Sequence, residues 1–266
     1  MDNTGNNLAN EAVAALGDRD RARARTAIDQ LMRVEPLHPR IDPLLSLIEF
    51  TPEVCLDASA LQRLDREIAP LAHELLGRSA ADYLSPLWRY AADSLAQAPF
   101  DPANPDLHAS RFWILFGDPA AALAAVGREL TWRSHPELLI RHAVASAKLQ
   151  RHHDALLDLF QLCWTCPTRA AEAIDRLEGL YQHPWRRFLD DDLGLENRDF
   201  PAWLLIHYPQ HAPQLKEERL CSLDPAPGFL TLLLLVRAEL HQLSPPYRAI
   251  LKAEHPELLA CYLKRR

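Results

Sequence analysis

The chain has 266 residues, of which 48% are apolar and 24% are charged, and its 29 Lys and Arg against 36 Asp and Glu give a net charge of −7. This composition predicts one or two globular domains and excludes the disordered, collagen-like and membrane-embedded classes. The acidic balance also disfavours a broad nucleic-acid-binding surface.

Leucine and alanine dominate the composition, because 48 Leu and 38 Ala compare with only 22 Val, Ile and Thr taken together. Leu and Ala lose little side-chain freedom in a helix, whereas a large sheet requires many β-branched residues. With 8 Gly, the chain also has little material for glycine-rich phosphate loops or tight hairpins. The composition therefore predicts an all-α protein.

Prolines stand at many positions where a first helical turn would begin, as at Asp118-Pro119, Ser134-His135-Pro136, Pro167-Thr168, Ser244-Pro245-Pro246 and His255-Pro256. They divide the chain into helices predicted at 7–16, 18–34, 42–50, 57–76, 79–98, 106–116, 119–131, 136–150, 153–165, 167–182, 184–190, 200–207, 227–243 and 246–263, the last interrupted near Pro256. The proline-rich stretch 99–106 is the best internal break. We predict three helical regions, 1–98, 106–183 and 184–266, with one continuous domain as the alternative.

Apolar periodicity supports the helices. In 57–76 the apolar residues repeat at three and four positions: Leu61, Leu64, Ile68, Leu71, Leu75 and Leu76. In 136–150 a core face is predicted for Leu139, Ile140, Ala143, Val144 and Ala147. Arg141 and Lys148 lie off that face. The apolar run from Phe229 to Val236 favours a buried helix, with an exposed partner-binding stripe as the alternative.

Two basic clusters could form local patches that attract nucleic acid despite the acidic net charge. Arginines at 19, 21, 23 and 25 are interleaved with acidic residues, which predicts a solvated helix face with internal ion pairs. Lys264, Arg265 and Arg266 form a tail. We expect no secretion signal in the polar first ten residues, and the run 228–236 is far shorter than the roughly 20 residues of a membrane span. The five scattered cysteines favour a reducing cytoplasm.

Spacings recur between residues 106 and 181. A first window contains Ala109, Ser110, Trp113, Gly117, Ala122, Val126 and Pro136, and a second contains Leu139, Ala143, Ser146, Ala155, Leu159, Leu162 and Pro167. Ala122 and Ala155 are 33 residues apart. This pattern resembles the tetratricopeptide repeat, although His142 and Gln150 stand where it usually has Leu or Gly. Gly17-Asp18 with Ala22, ahead of Pro36, is similar to Gly117-Asp118 with Ala122.

The resemblance implies stacked antiparallel helix pairs forming a short α-solenoid, followed by an irregular helical C-terminal part; an irregular helical bundle is the alternative. Solenoids of helix pairs expose a continuous surface to partners. The resemblance places Arg111, Arg141 and Lys148 on that surface, where they could meet an acidic or C-terminal peptide. Exposed Arg and Lys that only keep the protein soluble are the alternative. The expected function is a scaffold, adaptor or chaperone-like module for a protein or peptide partner, without catalysis or cofactor.

Cys163-Trp164-Thr165-Cys166 is the one motif in the chain whose spacing is recognised in metal and redox sites, and it supports an alternative metal- or redox-dependent function. Because an apolar helical series precedes it and Pro167 follows, the cysteines are predicted at a helix C-terminus, where the dipole disfavours a thiolate. Buried core thiols are the favoured interpretation. Asp190-Asp191-Asp192 lacks the register of a calcium loop and predicts an acidic turn. No other catalytic signature is present, and a structural subunit of a larger complex is a further alternative.

Overall fold

A computed structural model describes residues 3–51, 57–177, 179–191, 194–241 and 246–264. These residues form helices, turns and connecting segments, and they contain no strand. The chain is therefore all-α, as predicted. It consists of two compact units, 1–129 and 130–266. Within the described ranges, no helix combines the length and apolar character required to cross a bilayer.

The first unit contains eight α-helices among its described residues, and they are α1 Thr4–Gly17, α2 Arg21–Val34, α3 Ile41–Glu49, α4 Ala58–Arg63, α5 Ala69–Leu76, α6 Ala80–Ser94, α7 Ala109–Phe116 and α8 Pro119–Gly127. A π-helical segment, Leu64–Ile68, joins α4 to α5 without a break. Helix α1 packs against α2, and α7 packs against both α6 and α8. The core runs through α1 to α7 and includes Leu16, Ile28, Leu44, Leu64, Leu87 and Phe112.

The second unit has nine α-helices in its described part, and they are α9 Pro136–Lys148, α10 His152–Thr165, α11 Ala170–Arg176, α12 Gln182–Leu189, α13 Phe200–His207, α14 Glu217–Cys221, α15 Phe229–Leu240, α16 Tyr247–Glu254 and α17 Pro256–Lys264. Helices α9 and α10 form its central pair. Residues 155–163 of α10 are buried on all sides. Helix α15 is buried through Phe229, Leu232, Leu233, Leu235 and Val236, which confirms the predicted core helix.

The predicted helices coincide with observed helices to within a few residues over most of the described chain, but the 167–182 segment is shorter and begins with a 3₁₀ turn, Pro167–Arg169. Helix α14 was not predicted. The Ser244-Pro245 signal lies outside the described residues. Residues 99–106 fall inside the first unit, and the three-region division stays a prediction.

Three helix pairs turn in the same way. Between α1 and α2, α7 and α8, and α9 and α10, one residue has positive φ: Arg19 at 61°, Gly117 at 95° and Gln150 at 60°. The next amide donates to the carbonyl five residues earlier, at 2.8 Å in the first pair, 2.9 Å in the second and 2.8 Å in the third. This is the Schellman arrangement, which satisfies carbonyls at the end of the first helix.

In each pair the alanine five residues after the residue with positive φ is fully buried: Ala24, Ala122 and Ala155. A small residue at these positions lets the two helices of a pair approach closely. The proposed match of Gly17-Asp18 and Ala22 with Gly117-Asp118 and Ala122 is therefore wrong by two residues. Helix α1 continues through Gly17, the left-handed residue is Arg19, and Ala22 is exposed. The repeat family and the solenoid stacking stay predictions.

The π-helical segment corrects the predicted core face of 57–76. Leu61 before the segment and Leu64 and Ile68 within it are buried, and after it the buried residues are Ala69, Ala72 and Leu76. The stripe has moved by one residue, so Leu71 and Leu75 are only partly buried. Pro70 explains the position, because its ring would clash with the carbonyl of residue 66 in a regular helix and it has no N–H to donate. The wider turn accommodates it.

Pro86 lies inside α6 and deprives the Asp82 carbonyl of its usual intrahelical donor. The Arg19 side chain supplies a replacement, since its Nε donates to that carbonyl at 2.9 Å. The turn between α1 and α2 thus stabilises a helix 63 residues away in sequence.

We expect Arg19→Ala to lower the free energy of unfolding by about 1 kcal/mol, because the Asp82 carbonyl loses its donor. In a Pro86→Ala background the backbone N–H of residue 86 is restored, so the same substitution should cost clearly less. Urea unfolding of the parent, both single variants and the double variant measures this coupling. Equal costs in the two backgrounds would show that Arg19 does not serve this carbonyl.

Candidate functional site

A cleft of the second unit lies beside the turn between α9 and α10. Its volume is about 670 Å³. The end of α9 contributes Val144 and Lys148, the start of α10 contributes His152, and the end of α11 with the following turn contributes Arg176, Leu177 and Leu180. Its lining includes both basic and apolar side chains, and none of the described lining residues is acidic. A cleft with this lining suits a segment that carries both carboxylates and apolar groups.

The turn geometry explains why Lys148 reaches the cleft. Helix α9 ends at Lys148, and Gln150 takes the left-handed conformation that reverses the chain into α10. Lys148 is therefore exposed at the last turn of α9, where a cation is also favoured by the helix dipole. His152 begins α10, and its Nε2 lies 3.0 Å from Oε1 of Gln150.

Arg176 is held at the edge of the cleft by carboxylates. It contacts Glu172 one helical turn earlier on α11, and its Nη1 lies 3.8 Å from Glu137 at the start of α9. Arg169 joins the same two carboxylates, with 2.5 Å contacts to Glu137 and Glu172. The network fixes the direction of Arg176, and it also offsets part of its charge.

The structure separates the three predicted binding residues. Lys148 lines the cleft described above. Arg111 lies in the first unit, where its Nη2 contacts Asp65 at 2.6 Å and its Nη1 contacts Asp106. Arg141 is only 3% exposed. The expectation that Arg141 lies off the core face is wrong, because α9 is enclosed on all sides between Leu138 and Ser146. Sequence analysis missed His152 and Arg176, which only the folded turn brings beside Lys148.

His142, which departs from the repeat pattern, pairs with a buried acid. Its Nδ1 lies 2.5 Å from Oδ2 of Asp158 on α10, and Asp158 is 4% exposed. The Trp132 ring stacks on the imidazole with a centroid distance of 4.3 Å, and the Arg133 guanidinium lies 4.7 Å over that indole. Burial raises the pKa of Asp158, while the hydrogen bond and charge of His142 and the charge of Arg133 oppose the rise. The pair joins the two helices that shape the cleft.

The Cys163 and Cys166 pair lies where the sequence predicted. Helix α10 ends at Thr165, Cys163 is fully buried, and Cys166 is partly exposed beyond the helix end. Burial raises the pKa of the Cys163 thiol, which suppresses the thiolate needed for redox or metal chemistry. Among the described residues, no three or more His, Cys, Asp or Glu side chains are grouped in a way that could hold a metal ion.

The first unit contains a buried contact of serine, imidazole and carboxylate. Nδ1 of His108 lies 2.8 Å from Oγ of Ser110, and its Nε2 lies 3.7 Å from the Glu129 carboxylate. Catalytic triads use the same three groups, but here Ser110 is 0% exposed and His108 is 1% exposed. The Ser110 backbone N–H also donates to Nδ1 of His108. This geometry is that of a buried helix cap at the start of α7.

Two further predictions concern charged runs. Arg23 lies 3.4 Å from Glu11 and Arg25 lies 3.3 Å from Asp29 on exposed helix faces, so the predicted ion-paired surface is confirmed. In the acidic turn, Asp191 accepts a hydrogen bond from Nε1 of Trp203 at 2.9 Å. Asp192, Arg265, Arg266 and Cys55 lie outside the described residues.

Comparison with models of protein families, with curated proteins and with solved structures finds no match to this chain.

Proposed function

We propose that this chain is a non-catalytic interaction module that binds an acidic, partly apolar segment of a partner protein in the cleft beside the α9–α10 turn. The observation that carries the proposal is the lining of that cleft, in which Lys148, His152 and Arg176 stand among Val144, Leu177 and Leu180. Carboxylates of a partner would meet the basic side chains, and its apolar groups would cover the aliphatic ones.

Two features support a binding role. Helix pairs with close-packed alanines present their turns and outer faces to solvent, and the tetratricopeptide-like spacing of α7 to α10 is consistent with such a scaffold. In addition, the cleft is open, and its lining comes from α9, α10, α11 and the turns that follow α9 and α11. We also propose a reducing cytoplasm as the compartment, since the four described cysteines are free thiols.

Binding of a dye-labelled 12-residue peptide that alternates Asp or Glu with Leu tests the proposal by fluorescence anisotropy. We expect saturable binding by the parent, and we expect Lys148→Glu to weaken the affinity at least tenfold, because it replaces a basic side chain of the cleft with an acidic one. Lys252→Glu is the matched control, because Lys252 is also exposed but lies on α16, outside the cleft. It should change the affinity less than twofold.

Equal weakening by both substitutions would show that the peptide responds to net charge and not to the cleft. Absence of saturable binding to the parent would also contradict the proposal. Raising the salt concentration should weaken binding by the parent more than binding by the Lys148→Glu variant, since the lost contact is electrostatic.

A further inference from the structure

The net charge of the chain is confined to one of its two units. Residues 1–129 contain 12 arginines and no lysine against 19 acidic residues, whereas residues 130–266 contain 17 basic and 17 acidic residues. The first unit therefore carries the whole net charge of −7. Such an imbalance attracts cationic partners over a range of about 10 Å at moderate salt.

An open groove of about 440 Å³ lies on this acidic unit, between α5 and α6 and against the end of α7. Its apolar lining comes from Leu84 and Trp88, which are themselves buried, and from Leu115 and Phe116. Leu115 on the rim is 44% exposed, which is a large exposure for a leucine that borders a cleft. The exposed Leu115 and the partly buried Phe116 therefore give a partner apolar surface to cover in this groove.

The charged groups of the groove are acidic. Asp65 and Asp82 line it with His73, and none of the described lining residues is lysine or arginine. Arg111 neutralises Asp65 through its 2.6 Å contact, but the Asp82 side chain is 72% exposed, and its nearest arginine contact, to Arg19, is 4.0 Å long. Asp82 is therefore the carboxylate that a partner can reach.

The shape of the groove indicates what it holds. Asp65, Ala69 and His73 follow one wall, and Ala81, Ser85 and Trp88 follow the other, both at the spacing of a helix face. Eight residues of helix rise about 12 Å, so each wall is about two helical turns long. A groove of this length between two helices fits two turns of a third helix.

We propose that this groove is a second interaction surface, which takes an amphipathic helix of a partner protein with apolar residues on one face and Lys or Arg beside them. The apolar face would cover Leu115 and Phe116, and a cation would meet Asp82. The inference does not depend on the cleft beside the α9–α10 turn, because it concerns the first unit and a partner of the opposite charge.

A dye-labelled 14-residue peptide with Leu at helical spacing and Lys between them tests this surface on the full chain. We expect Ala81→Arg, which adds bulk and positive charge to the wall of the groove, to weaken binding at least tenfold. Ala124→Arg on α8 makes the same change at an exposed alanine outside the groove, and we expect less than a twofold effect. Circular dichroism spectra of both variants check that they are folded.

Two further comparisons separate groove binding from general attraction to an acidic protein. A peptide of the same composition with its Leu residues scattered around the helix should bind at least tenfold more weakly than the designed peptide. Leu115→Ser should weaken binding severalfold, whereas Leu37→Ser, at a position 93% exposed in the same unit, should not. Equal affinities for the two peptides, or equal effects of the two arginine variants, would overturn the proposal.

Discussion

Ala122→Leu and Ala155→Leu should each lower the free energy of unfolding by about 1 to 3 kcal/mol, because three extra carbons must enter a closed contact between paired helices. Both alanines are fully excluded from solvent, and each lies five residues after the left-handed residue of its turn, Gly117 or Gln150. Ala24, which follows the α1–α2 turn, is also 0% exposed, and we expect a similar cost there.

Ala124→Leu and Ala22→Leu are the matched controls, since both alanines are exposed on the second helices of the same kind of pair. They should change stability by less than about 0.5 kcal/mol. Thermal melts of the five variants measure the difference. Matching melting temperatures at buried and exposed positions would show that the two helices of each pair do not pack through these alanines.

His142→Leu should lower stability at pH 7 by about 3 kcal/mol, because it leaves the Asp158 carboxylate buried without its imidazole partner. Burial already raises the pKa of Asp158 in the parent, and loss of His142 removes two contributions that oppose that rise. A carboxyl with a raised folded-state pKa favours folding while it is protonated and loses that contribution as the pH rises through the folded pKa. The cost of the substitution should therefore be smaller at pH 4 than at pH 7.

Urea unfolding of the parent and of His142→Leu at both pH values measures this dependence. Addition of Asp158→Asn to His142→Leu removes the buried charge, so the double variant should recover much of the stability at pH 7 and show little pH dependence at this site. A cost of His142→Leu that is the same at pH 4 and pH 7 would show that Asp158 is not the group responsible.

Local signals account for the parts of the fold that sequence analysis predicted well. Asp118 caps α8 by accepting from the amide of Ala121 at 2.9 Å, and Pro119 and Pro136 stand in first helical turns. Each of these interactions lies within a few residues of sequence. The C-terminal position of Cys163 and Cys166 also followed from their immediate neighbours.

Features that depend on distant residues were not predictable in the same way. Arg141 is buried because α9 is enclosed on every side, and helical periodicity within 136–150 does not report that. Arg19 adopts positive φ although arginine does not favour it, so the turn could not be placed from residue preference. Of the cleft, only Lys148 was predicted, because the tertiary fold brings Arg176 beside it.

The π-helical segment of the first unit makes the orientation of α5 depend on the number of residues in the segment. In a regular helix one additional residue would turn everything beyond it by about 100° around the axis, but the wider turn at Leu64–Ile68 absorbs that residue, so Leu64 and Leu76 both face the interior. Excision of one amino acid there would give the three- and four-residue spacing of a regular α-helix and keep Ala69, Ala72 and Leu76 on the buried face, whereas insertion of a further residue would turn them away from it by about 100°. The segment therefore tolerates the loss of one residue better than the gain of one.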